Sequence, residues 1–145
     1  MNSFAEKVKL SRELIGMSQK EVAEKISVSI KSISAYERGL SEPRGTTLHK
    51  LARALNISVD YLMNDDVTDP RQGIEKDPYV EQTREMYGNR AAREAEKLLE
   101  GNLALFAGGQ LDQEELDSFF EAVTEAYWAA KREAKKTYGR KKPRY

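Results

Sequence analysis

The chain has 145 residues, 39% of them hydrophobic and 33% charged, with 24 Lys and Arg against 24 Asp and Glu. That length allows one or two small domains, and the lack of cysteine excludes disulfides, thiolate metal sites and cysteine nucleophiles. No run approaches about 18 apolar residues and Glu6, Lys7 and Lys9 come early, so neither a membrane span nor a signal peptide is expected and a cytoplasmic location follows.

The zero net charge hides an uneven distribution. Residues 1–66 are nearly neutral, residues 67–130 are strongly acidic, and residues 131–145 hold eight Lys and Arg against one Glu. No strand pattern is present, so the expected class is all-α. The expected domains are a five-helix domain over 1–66, a linker over 67–88, a helical hairpin over 89–136 and a basic tail over 137–145.

Phe4 to Ile15 reads as the first helix, with Phe4, Val8, Leu14 and Ile15 facing inward and Gly16 ending it. The next stretch, Ser18 to Gly39, holds two short helices around a tight turn. Ser18 followed by Glu21 forms a capping box, which starts a helix at Gln19. Val22, Ala23 and Ile26 make its apolar stripe, and the break falls near Ser27. Ser29 is placed to cap the second helix, whose inward residues are Ile33 and Tyr36 and which Gly39 ends. Its outward residues, Ile30, Lys31, Ser34 and Ala35, carry no acid before Glu37. An acid-free face tolerates phosphates, and a helix of about 10–12 Å diameter fits the roughly 12 Å major groove of DNA. On these residues alone, an ordinary helical hairpin with a bland surface is the other reading.

Ser18, Gln19, Glu21, Ala23, Val28, Ser29, Ile33, the Tyr36-Glu37-Arg38-Gly39 run, Pro43 and the block LHKLARALNISVDYL from Leu48 to Leu62 together resemble the phage repressor and Cro-like helix-turn-helix transcription regulators. The likeness covers Phe4 to Asn64. It departs at Ser27, where the family usually has glycine in a left-handed turn, a conformation with a steric cost for serine. The resemblance implies that double-stranded DNA is the partner, with Gln19 on a backbone phosphate and Ser29, Ile30, Lys31, Ser34 and Ala35 facing the groove. Arg38 and Arg44 match positions used for phosphate or minor-groove contact. Arg12 and Glu37 match a buried ion pair that ties the first helix to the end of the recognition helix.

Leu48, Leu51, Ala52 and Leu55 form the stripe of a fourth helix starting after Thr46 or Thr47, and Ser58 caps a fifth, Val59 to Met63. His49 has no second ligand at metal spacing. No Ser/His/Asp set, Gly-rich phosphate loop or carboxylate pair is evident, so neither catalysis, a metal nor a cofactor is expected. Asn64 to Pro78 combines acids, prolines and a glycine and reads as an extended, mobile linker, with a short helix possible over Val80 to Tyr87.

Asn89 to Ala107 and the segment after the Asp112/Glu115 capping box read as two amphipathic helices of a hairpin. Two helices alone bury too little to hold a core, so a second copy is expected to cover Leu99, Leu103, Phe106, Leu116, Phe119, Phe120, Val123 and Tyr127, giving a homodimer. Docking on the first domain and capture of a different protein are the rivals. Trp128 falls off the main stripe, as a second contact surface or an exposed ring. The last residues read as a fraying helix end and a basic tail, for non-specific phosphate binding or for solubility. The expectation is a dimeric repressor on a palindromic operator. The alternative is an antitoxin or anti-regulator whose hairpin captures another protein, and a protein antagonist is compatible with either.

Overall fold

The computed structural model describes residues 3–104 and 112–138, and every regular element among them is a helix. The chain divides into two compact units, Met1–Asp77 and Pro78–Tyr145.

The first unit holds α1 (Phe4–Leu14), α2 (Gln19–Ile26), α3 (Ile30–Glu37), α4 (Gly45–Leu55) and α5 (Val59–Met63). Serine caps set four of the five starts. Ser3 and Ser18 form full capping boxes with Glu6 and Glu21, Ser29 accepts from the Ser32 amide, and Ser58 accepts from that of Tyr61. α4 begins at Gly45, ahead of the expected Thr46 or Thr47, and its N-cap Arg44 makes no side-chain cap bond. Phe4, Val8, Val22, Ile26, Ile33, Leu51, Leu55 and Leu62 are all in one buried core. Phe4 meets Tyr36 edge to face, with ring centroids 6.5 Å apart.

Leu14 and Ile15 do not face inward. Leu14 is 77% exposed and Ile15 is also exposed. At about 100° per residue Leu14 falls to the side of the line through Phe4, Val8 and Ser11. Ile15 lies on that line but is the C-cap, beyond the last helical turn. Lys7 and Ser11 take the buried places instead. The Lys7 ammonium donates to three carbonyls, those of Tyr61 at 2.6 Å, Asn64 at 3.0 Å and Val67 at 2.9 Å, and lies over the Tyr61 ring. An ammonium has three donors, and all three are used.

The expected linker over 67–88 is not an extended segment. Val67 is part of the core of the first unit, and the Ser58 amide donates to the Pro70 carbonyl at 2.7 Å. A short 3-10 turn spans Ile74–Lys76, and helix α6 covers Asp77–Tyr87. Lys76 pairs with Asp60 at 2.7 Å, and Asp77 accepts from the Val59 amide at 3.0 Å. Gly73 is required where it stands: its φ is +79°, and a Cβ there would come within 2.3 Å of the Asp60 carboxylate. The acids that suggested a solvated linker have partners supplied by the fold.

The second unit contains α6, α7 (Asn89–Ala104) and α8 (Gln113–Tyr138). Asp112 and Glu115 exchange the two bonds of a capping box at the start of α8. Val80 of α6, Ala92 and Leu99 of α7 and Phe120 of α8 form the core, with Tyr79, Leu116, Phe119 and Val123 packed against it. The hairpin therefore has a third helix as partner within its own chain. Leu99 and Phe120, expected at a dimer seam, are each only 1% exposed inside this unit. Leu116, Phe119, Val123 and Tyr127 are partly buried. The side chain of Leu103, all of Phe106 and residues 139–145 lie outside the described residues.

Trp128 is not exposed. Its indole N–H donates to the Thr83 hydroxyl at 2.8 Å, and that hydroxyl donates to the Tyr79 carbonyl at 2.9 Å. Phe120, Thr124 and Trp128, four residues apart, are the buried line of α8, while Ala126 and Ala130 are exposed. Packing against α6 moves the buried stripe round the helix from where a two-helix hairpin would place it.

Candidate nucleic-acid interface

The turn between α2 and α3 is built by local chemistry. Ser27 adopts the left-handed conformation, φ 62° and ψ 43°, which brings the Val28 amide onto the Ala23 carbonyl at 3.0 Å. Ser29 is then extended, with φ −78° and ψ 157°, and its hydroxyl closes the first turn of α3 on the Ser32 amide. The Ser29 and Ser32 hydroxyls are also hydrogen bonded to each other at 3.0 Å, so Ser29 is engaged first as a cap.

Glu37, at the end of α3, gathers three segments. Arg12 Nε donates to one carboxylate oxygen at 2.5 Å and a terminal nitrogen donates to the other at 3.0 Å. The remaining guanidinium nitrogen donates to the Met17 carbonyl at 2.8 Å. The Gln19 amide joins Glu37 at 3.0 Å. This side chain of Glu37 is 4% exposed. Burial pushes its carboxyl up, but hydrogen bonds from Arg12 and Gln19 and the Arg12 charge outweigh that and hold it below the ordinary value. The bond to Glu37 raises the Arg12 guanidinium correspondingly. Sequence reasoning placed Gln19 at the phosphate backbone and missed its tie to Glu37; the two are 18 residues apart, and no local pattern signals the bond.

Against this anchored base, the outer face of α3 is open. Ile30 is 48% exposed, Lys31 is exposed, and Ser34 and Ala35 are half-buried. Arg38, the C-cap of α3, and Arg44, the N-cap of α4, are both exposed. Among the described residues, Lys31, Arg38 and Arg44 make no ion pair. The geometry thus combines a short helix with an uncharged to cationic face, free cations along it, and a buried knot fixing its far end.

Two capped helices joined by a left-handed turn are on the page, and residues 8–62 match the helix-turn-helix family model. Residues 8–62 form a helix-turn-helix domain. Relatives share this domain. The HTH-type transcriptional regulator ImmR of Bacillus subtilis is 39% identical over 64 residues, covering 44% of this chain and 50% of that protein. The repressor protein C2 of Salmonella phage P22 is 33% identical over 65 residues, 45% of this chain and 30% of its own length. The HTH-type transcriptional regulator DicA of Escherichia coli is 29% identical over 75 residues, 51% of this chain and 56% of its own. The chain spans about half the length of the curated relatives it matches. No solved structure matches it. The second unit falls outside the helix-turn-helix match. No helix among the described residues is long and apolar enough to cross a membrane.

Proposed function

We propose that the chain is a sequence-specific DNA-binding transcription regulator, a cytoplasmic repressor that acts as a dimer on a near-palindromic operator. The observation that carries this reading is the exposed, acid-free face of α3 with Lys31, Arg38 and Arg44 unpaired beside it. With that face in the major groove, Lys31 donates to guanine O6 and N7, while Ile30 and Ala35 touch thymine methyls. Ser29 and Ser34 offer hydroxyls at the same edge. Arg38 and Arg44 meet phosphates or a narrow minor groove, and the second N–H of the Gln19 amide remains for a phosphate. The Arg12–Glu37 pair takes no part in contact; it fixes the angle at which α3 is presented. No catalysis is involved.

Dimerisation follows from reach. A helix of eight residues is about 12 Å long and spans only a few base pairs, so a useful operator needs two copies with recognition helices about 34 Å apart. Leu99 and Phe120 are used within their own unit, which leaves the partly exposed Leu116, Phe119, Val123 and Tyr127 for the seam between copies.

Selection of bound sequences from random DNA, followed by titration across salt, tests the reading. Lys31→Ala is expected to relax base preference at one position of each half-site. Arg44→Ala is expected to weaken all sequences together and lower the salt slope by about 1. Recovery of a two-fold symmetric site and a solution mass of two chains support the dimer. Binding that none of these substitutions alters would overturn the assignment of the interface, and a single-chain mass at concentrations that occupy DNA would overturn the dimer.

A further inference from the structure

A cleft of about 240 Å³ opens in the second unit between α6 and α8, lined by Tyr79, Gln82, Glu121, Thr124, Glu125 and Trp128. It lies outside the helix-turn-helix domain, and the DNA-binding reading makes no use of it. On α8 the residues recur at spacings of three and four, so Glu121, Thr124, Glu125 and Trp128 share one face. Tyr79 and Gln82 face them from α6.

Three features of this cleft point to the same ligand chemistry. Glu121 and Glu125 are exposed and form no ion pair among the described residues, so two negative charges at one mouth lack a counter-charge. Thr124 is 2% exposed and its hydroxyl oxygen has no hydrogen-bond partner, a deficit that a buried polar atom ordinarily does not carry. Tyr79 and Trp128 supply aromatic carbon, with the Trp128 N–H already committed to Thr83 and the Tyr79 hydroxyl to the Asp117 carbonyl. Burial, together with the charges of Asp117 and Glu121, raises the Tyr79 phenol, the response of an acid to a negative local field.

We propose that this cleft is a binding site for a small organic cation carrying a primary ammonium on a short alkyl chain. Its three N–H donors meet Glu121, Glu125 and the unpartnered hydroxyl of Thr124, and the Gln82 carbonyl stands at the rim. The alkyl chain lies against Tyr79 and Trp128, where aromatic surface attracts both the methylenes and the charge. An anion is repelled by the two carboxylates, and a neutral alcohol leaves them unpaired. The volume suits an amine of a few carbons, below the range of most drug-sized pockets of about 300–1,000 Å³.

Trp128 is the only tryptophan in the chain, so its fluorescence reports on this cleft. The full chain titrated with n-butylammonium is expected to give a saturable change in emission that butyrate and butanol do not produce. Nα-acetyl-lysine methylamide, run alongside, separates a free amine from a peptide-borne one, and tighter binding of the lysine derivative assigns the same site to a lysine side chain. Replacing both acids (Glu121→Gln with Glu125→Gln) is expected to weaken binding about tenfold or more, and Thr124→Val severalfold. Glu133→Gln, exposed on the same helix outside the cleft, is expected to leave affinity unchanged. The double variant changes only exposed groups, and an unaltered helical circular dichroism spectrum and melting curve establish that it is folded. No saturable response to either ammonium compound, or an equal response in the folded double variant, would overturn the proposal. Because DNA binding is not the readout, this result is independent of the outcome for the helix-turn-helix face.

Discussion

Glu37 shows how much one residue decides. It accepts from Arg12 of α1 and Gln19 of α2 while sitting at the end of α3, so three helices share one buried carboxylate. Removing either partner of the ion pair leaves a desolvated charge, and Arg12→Ala or Glu37→Ala is expected to cost about 3–5 kcal/mol, read from denaturant midpoints. The pH dependence has a definite sign. The folded carboxyl titrates below its ordinary value, despite burial, because of the bonds from Arg12 and Gln19. Its contribution is therefore fully present above the unfolded value of about 4.3 and is lost as pH falls through the lower folded value. Glu37→Gln is expected to flatten that acid limb in a comparison of unfolding free energy against pH. An acid limb equally steep in both proteins would remove Glu37 from this role. The pairing of Arg12 with Glu37 was reachable through family resemblance, whereas the bond from Gln19 was not, since it depends on where α2 starts relative to the end of α3.

At the scale of elements, helix starts were the most legible feature. Each of Ser18, Ser29, Ser58 and Asp112 caps the helix that its sequence context indicated, because a cap is a contact within four residues. Buried faces were less legible. Lys7 stands in the inward stripe of α1 where its charge argues for solvent, and only the carbonyls at Tyr61, Asn64 and Val67, more than 50 residues away, satisfy it. Lys7→Met keeps the length of the side chain but strips a donor from each carbonyl. It is expected to destabilise the first unit by about 3 kcal/mol or more, given about 1–3 kcal/mol for each buried group left unsatisfied. Thermal or urea unfolding measures this, and a change under about 1 kcal/mol would mean that water replaces the ammonium. Trp128 misled in the opposite direction: its place on α8 is covered by α6, a helix that the linker composition concealed.

The division of the whole molecule places the boundary at Asp77, eleven residues beyond the expected end of the first domain. Val67, the Ser58 to Pro70 bond, the Lys76–Asp60 pair and the Asp77 bond to Val59 all belong to the first unit. A fragment of residues 1–77 is expected to unfold cooperatively by itself. A fragment of residues 1–66 is expected to be less stable by about 2 kcal/mol or more, from the loss of one buried valine and several hydrogen bonds. Equal denaturant midpoints for the two fragments would return residues 67–77 to the linker.

The sequence by itself determined the all-helical class, the two capped helices around Ser27 and the open outer face of α3, because each rests on spacing or on contacts within a turn or two. The tertiary structure decided which side of α8 is buried, that residues 67–77 belong to the first unit, and that Thr124, Glu121 and Glu125 line a cleft with Tyr79 and Trp128. Those outcomes depend on which helix lies alongside which. Hydrophobic burial is non-directional, so a stripe that is wide enough fits more than one neighbour until the chain supplies a particular one.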